Sequence, residues 1–163
     1  MPIPGIIQPE IIMVDHELYL RRFEGDFGFA LPWYQNIDTV WLVDGRKEPY
    51  TPELLEKMYR YLDEHGELYF IEFHDRDGSR LIGDVTFSKE DMPIVIGDVS
   101  LRGKKIGRRV ISAFIDRAGT LGFKELHVRD IYDWNTASRR CFESLGFTAD
   151  GKTADGSSYK LVL

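Results

Sequence analysis

The stretch "MPIVIGDVSLRGKKIGRRVISAFIDRA", residues 92–118, decides the fold. A β-branched run gives way to a glycine-punctuated loop, where five cations (Arg102, Lys104, Lys105, Arg108, Arg109) fall within eight positions. From Gly107 to about Leu121, the residues Val110, Ile111, Phe114, Ile115, Ala118 and Leu121 recur at helical spacing, and Gly122 ends the pattern. A helix that starts straight after such a loop exposes unpaired backbone N–H groups at its positive end, which suits a phosphate. Gly103 and Gly107 let the chain turn tightly and let a ligand approach the backbone. Taken alone, the run reads equally as a helix start with solvated charges.

The rest of the chain narrows the choice. The formal net charge is -6, so a broad affinity for nucleic acid is not expected, although a local basic cluster still suits a small phosphate ligand. A Walker loop needs glycine-lysine followed by serine or threonine, and a dinucleotide fingerprint needs three spaced glycines; neither pattern occurs. The four histidines, His16, His65, His74 and His127, are scattered without zinc spacing, and "HDRDG" at 74–78 reads as a turn, so no metal is expected. Cys141 is the sole cysteine, which rules out an internal disulfide. No run approaches a membrane span, and "MPIPGIIQPE" lacks the pattern of a secretory leader. The expectation is a cytoplasmic protein forming a single domain over residues 1–163. Association into a homodimer stays open.

Along the chain, "IIMVDHELYLRRF" reads as a strand or hairpin, and "ALPWYQNIDTVWLVDGRKEPY" as short helices joined by loops. "YTPELLEKMYRYLDEHG" reads as a helix capped by Thr51, with Pro52 in its first turn. Its apolar side carries Leu54, Leu55, Met58, Tyr61 and Leu62, and Gly66 stops it. "ELYFIEF" and "RLIGDVTF" form a hairpin around "HDRDG". "MPIVIGDV", "KELHVRDIY" and "SSYKLVL" are further strands, and "NTASRRCFESLG" is a last helix. Hairpins first, then alternation of strands with helices, predict an α/β (α+β) domain in which helices pack on a mixed sheet.

Two motifs in order, "IVIGDVSLRGKKIG" and then "NTASRRCFESLGF" about 30 residues on, resemble the GCN5-related N-acetyltransferase (GNAT) superfamily over roughly residues 80–150. In that family an Arg/Gln-x-x-Gly-x-Gly/Ala loop holds the pyrophosphate of acetyl-coenzyme A through its amides. The second motif has an asparagine, a small residue three places on and a closing Gly-Phe: here Asn135, Ser138, Gly146 and Phe147. The resemblance implies a mostly antiparallel twisted sheet with one splayed parallel strand pair. It implies acetyl-CoA as co-substrate, bound by Ile96, Gly97, Leu101, Arg102, Gly103, Lys104, Lys105, Ile106, Gly107, Arg108, Asn135 and Ser138. It further implies that acetyl passes to a primary amine by direct attack in a ternary complex, the expected acceptor being a small cationic amine, aminoglycoside- or polyamine-like, or a protein N-terminus.

Such a transfer needs a neutral amine, donors for the oxyanion and a proton for the departing thiolate. The family uses a backbone N–H of the strand before the loop for the thioester oxygen, which places Ile96 to Asp98 at the reacting end. Gly97 there marks a bulge, a close backbone approach or a flexible strand end. Asp98 is the candidate for orienting or deprotonating the amine, ahead of Asp84, Asp130, Asp133 and Glu72, although each of them also suits a turn or strand end. Trp33, Tyr34 and Trp41 are candidates for an acceptor pocket, or core. Cys141 reads as packing, and Arg139 and Arg140 as a solvated face. The sequence departs from the family twice. Lys105 stands where the loop's first glycine belongs, and Phe142 stands where many relatives carry a thiolate-protonating tyrosine. Ser138, Cys141, Tyr132 or water are the substitutes. Phe142 also keeps open a non-catalytic acyl-CoA-binding module.

Overall fold

The β-rich runs before residue 100 build one antiparallel sheet. The computed structural model describes residues 1–163. Strands β1 (Ile11–Met13), β2 (Leu18–Arg22), β3 (Glu67–Asp75), β4 (Gly78–Phe87) and β5 (Ile94–Ile96) pair in sequence order. The β1–β2 turn closes on Asp15, whose carboxylate accepts the N–H groups of Glu17 and Leu18. Between β2 and β3 lie three helices: α1 (Leu31–Gln35), α2 (Ile37–Asp44) and α3 (Pro52–His65).

Thr51 caps α3 as expected, its hydroxyl accepting the Leu54 N–H at 3.2 Å. The buried face of α3 is set by Leu55 and Tyr59, whereas Tyr61, expected on the apolar side, is 47% exposed and stacks on His65. Gly66 ends the helix in extended backbone rather than a left-handed turn. Glycine is required there by space, because a Cβ would lie 2.7 Å from Thr86 Cγ2 and 2.9 Å from the Phe87 carbonyl oxygen.

The second half forms α4 (Ile106–Thr120), β6 (Glu125–Tyr132), α5 (Thr136–Ser144), β7 (Thr148–Lys152) and β8 (Gly156–Val162). β6, β8 and β7 make a second antiparallel sheet in that order. β7 has no sequence signature: all five of its residues are exposed, and only the ladder from β8 makes it a strand. The two sheets meet where the Lys89 carbonyl accepts the His127 N–H at 2.9 Å and the Asp91 carboxylate accepts the Arg129 N–H at 3.0 Å. Residue numbers rise together across this join, so the two segments run parallel. Beyond it no backbone bond links β5 to β6, and the pair splays.

Helices cover both faces. On one, Val110, Ile111, Phe114 and Ala118 of α4 are fully buried against Tyr69, Ile71 and Phe87; each large side chain contributes about 1.5–3 kcal/mol by leaving water. Arg117 of α4 forms two hydrogen bonds with the fully buried Glu67, at 2.8 and 2.9 Å, and fixes α4 to the start of β3. On the other face, Tyr34, Tyr50, Leu55 and Tyr59 pack on Leu68, Phe70 and Val95.

Candidate active site

β5 opens toward β6 through a bulge. The N–H groups of Gly97 and Asp98 both donate to the Ile82 carbonyl, at 2.7 and 3.1 Å. Gly97 also meets the close approach that the sequence suggested, since a Cβ there would fall 2.2 Å from the Trp33 indole. These two amides are therefore spent on the bulge and are not the free donors expected at the reacting end. Pro93 and Gly97 bond to β4, and strand alternation turns the backbone groups of Ile94 and Ile96 the other way, toward β6.

Asp98 starts the loop that follows. Its Oδ1 accepts from Ser100 N–H at 3.0 Å and Ser100 Oγ at 2.6 Å, capping the short 3-10 turn Val99–Leu101. The Ser100 bonds, with help from Arg80, hold its carboxyl below the usual range. Asp98 does not line the cavity described below. The expected proton acceptor is thus a turn cap, and its lowered proton affinity makes it a weaker base.

Arg102 also departs from expectation. Its guanidinium folds inward to the Ile96 carbonyl (3.1 and 2.9 Å) and the Thr39 hydroxyl (2.8 Å), tying α2 to the end of β5. Leu101 and Ile106 bury their side chains in the core, so only their backbone faces a ligand. Arg109 pairs with Asp15 and Glu17 at 2.7 and 3.0 Å. Of the five cations, Lys104, Lys105 and Arg108 remain exposed and free of ion pairs.

Lys105 occupies the left-handed region, with φ 61° and ψ 23°, and is the one non-glycine residue with positive φ. The lysine thus adopts the backbone that a glycine would supply. Across the loop end and the first turn of α4, none of the N–H groups of residues 103–108 donates a hydrogen bond. Six consecutive donors therefore stay unbonded beside three free cations.

Between β5 and β6 lies a cavity of about 290 Å³, bounded by α1–α3 on one side and α5 on the other. Asp44, Asp84, Asp91 and Asp130 line it, against the single cation Arg129. Asp84 is 1% exposed and accepts the Tyr34 hydroxyl at 2.6 Å and the Tyr59 hydroxyl at 2.8 Å, both on Oδ2. Burial raises its pKa to about 6, the two tyrosine bonds opposing the shift. Sequence reasoning ranked Asp84 below Asp98 and missed Tyr59. Its signal was a phenol on the buried stripe of α3, which needs a polar partner.

The α5 side is built by Asn135, whose Oδ1 accepts the Ser138 N–H at 3.2 Å and whose Nδ2 donates to the Leu42 carbonyl at 3.1 Å. Asn135 thereby caps α5 and docks it on α2. Ser138, Tyr132 and Phe142 line the cavity; Cys141 does not, and burial pushes its thiol up to about 11. Among the aromatic candidates, Tyr34 lines the cavity. Trp33 covers Gly97, and Trp41 stacks on Trp134 at 4.4 Å.

The model of the acetyltransferase (GNAT) family matches residues 32–147. The chain belongs to this family. GNAT enzymes use an acyl-CoA together with an acceptor. The chain is 36% identical over 70 residues to an uncharacterized protein of Methanocaldococcus jannaschii, a match covering 43% of this chain and 14% of that protein's length. Its fold is similar to a domain from Methanocaldococcus jannaschii, with TM-score 0.79 and 26% identity over 91% of this chain and 100% of that one. It is also similar in fold to spermidine N-acetyltransferase from Vibrio cholerae in complex with CoA and spermine (TM-score 0.69, 22% identity, 91% and 96% coverage). No helix is long and apolar enough to cross a membrane.

Proposed function

We propose that this GNAT protein transfers the acetyl group of acetyl-CoA to a primary amine by direct attack in a ternary complex. The observation that carries this is the row of six unbonded N–H groups at 103–108, which opens α4 beside Lys104, Lys105 and Arg108. Such a row fits a pyrophosphate. A Cβ at Gly107 would sit at ordinary contact distance from Cys141 and Ile94, so protein packing alone does not demand glycine there, which suits a ligand lying against the backbone.

Bound acetyl-CoA supplies an activated thioester carbonyl. In this reading the Ile96 N–H, turned away from β4, donates to its oxygen, and the Asp98 cap holds the loop in shape. Ser138 and Tyr132 offer hydroxyls on the cavity wall where Phe142 has none. The acceptor side is acidic, which favours a small cationic amine over a neutral one. The fold shared with a spermidine acetyltransferase is compatible with that class. A protein N-terminus is the competing acceptor.

Calorimetric titration with CoA, together with thiol release from acetyl-CoA across spermidine, an aminoglycoside and a peptide with a free N-terminus, tests this. CoA binding with turnover on one class supports it. Binding without turnover on any amine assigns a non-catalytic acyl-CoA-binding module. A chain that does not bind CoA refutes both.

A further inference from the structure

Resting on that acetyl-transfer reading, we propose that Asp84, held by the hydroxyls of Tyr34 and Tyr59, docks the ammonium group of a small polycationic acceptor and takes its proton before attack. Three observations converge. Asp84 is almost fully buried, yet no lysine or arginine bonds to it. A buried carboxylate without a counter-charge is costly, and a cation entering the cavity relieves that cost. Its two hydrogen bonds both fall on Oδ2, so Oδ1 takes none from the protein. Asp44, Asp91 and Asp130 also line the cavity, and although each already accepts a hydrogen bond from Tyr50, from the Met92 and Arg129 N–H groups or from Thr153, they keep its potential negative.

The tyrosines fix the geometry. Burial pushes both phenols well above their ordinary pKa, so they remain donors to Oδ2 and hold Oδ1 in place. The titratable and charged groups facing Asp84 are Tyr34 on α1, Tyr59 on α3 and Tyr50 between α2 and α3; Asp44, Asp91, Arg129 and Asp130 stand on the cavity wall. A carboxyl with pKa about 6 is ionised at neutral pH and still accepts a proton readily.

In the step proposed, the ammonium gives one proton to Asp84 and the freed amine lone pair forms the C–N bond at the thioester carbon. The C–S bond breaks as the tetrahedral adduct collapses. The second nitrogen proton passes to the departing sulfur, giving free thiol, and Asp84 later releases its proton to solvent. The balance is acetyl-CoA and ammonium in, amide, CoA thiol and one proton out.

The test uses the full chain with acetyl-CoA and two probes, 1,4-diaminobutane and spermidine, from pH 5 to 9. Wild-type kcat/KM rises through about pH 6. Asp84→Asn loses that limb and about 100-fold or more in kcat, while CoA affinity changes less than about twofold. Tyr59→Phe removes a donor to the carboxylate and moves the limb to higher pH. Asp84→Asn with wild-type kcat and an intact limb overturns the proposal. Where Asp84→Asn fails to fold, unchanged profiles in both Tyr34→Phe and Tyr59→Phe overturn it. Where neither probe turns over, each is titrated calorimetrically into the CoA-saturated protein; no binding, or equal binding to Asp84→Asn, overturns it. Loss of CoA binding itself refutes the acetyl-transfer reading instead, and Asp84's role falls with it.

Discussion

Replacing Lys105 with glycine stabilises the protein and leaves most CoA affinity intact. Lys105 sits at φ 61°, where an L-residue's Cβ crowds the carbonyl oxygen at a cost of about 1–2 kcal/mol. Glycine removes that crowding but returns about 0.5–1 kcal/mol through the greater freedom of its unfolded chain. The net gain lies between roughly 0 and 1.5 kcal/mol, about 0.75 kcal/mol at the midpoints, which raises Tm by about 2 °C for a chain of this size. Lys105→Ala separates conformation from side chain. It keeps the crowding, loses only an exposed lysine, and stays within about 0.5 kcal/mol of wild type. Both variants retain the backbone N–H. Loss of an exposed cation near a phosphate weakens CoA binding by about 0.2–1 kcal/mol, less than tenfold. Thermal and urea unfolding of the apo protein give the stabilities, and calorimetry gives the affinities. A Lys105→Gly protein that melts no higher than Lys105→Ala refutes the strained loop. A much larger loss of CoA affinity in both variants transfers the phosphate role from the amides to the lysine side chain.

Three further outcomes follow from the same geometry. Arg102→Ala leaves the Ile96 carbonyl and Thr39 hydroxyl without their partner, and loses about 2–3 kcal/mol in denaturant unfolding; an unchanged midpoint contradicts the inward guanidinium. Gly97→Ala drives a Cβ into the Trp33 ring, destabilises by about 1–3 kcal/mol and alters tryptophan fluorescence; wild-type values for both rule out the close approach. The raised Asp84 pKa means that the folded state holds a proton which the unfolded chain has released. The contribution of Asp84 to stability therefore falls by about 3 kcal/mol as pH rises from about 4 to about 6, and is constant above. Asp84→Asn lacks this fall and is the more stable protein at pH 7.5, the difference closing near pH 4. Parallel pH-stability curves for the two exclude the buried ionised carboxylate.

Local signals were enough for much of the molecule. Thr51 and Pro52 announced α3, the apolar spacing from Val110 to Ala118 announced α4, and "HDRDG" announced the β3–β4 hairpin. Where the sequence misled, the deciding partner lay far along the chain. β7 is a strand only because β8 supplies its ladder. Tyr59, not Tyr61, lies on the buried stripe of α3, and its hydroxyl there meets Asp84, 25 residues on.

The site divides in the same way. Chain-local rules determined the glycine-flanked loop, the helix it opens and the family motif, because backbone donors at a helix start depend on nearby residues alone. Even Lys105 in the place of glycine was visible, although its left-handed backbone was not. The fates of Asp98 and Asp84 were decided only by the tertiary structure. Both end an "IGD" triplet in the sequence, but Asp98 turns to Ser100 two residues on, while Asp84 is enclosed by tyrosines from α1 and α3. Carboxylate chemistry follows solvent exclusion and hydrogen-bond partners, and both are properties of the packed molecule rather than of the residues alongside.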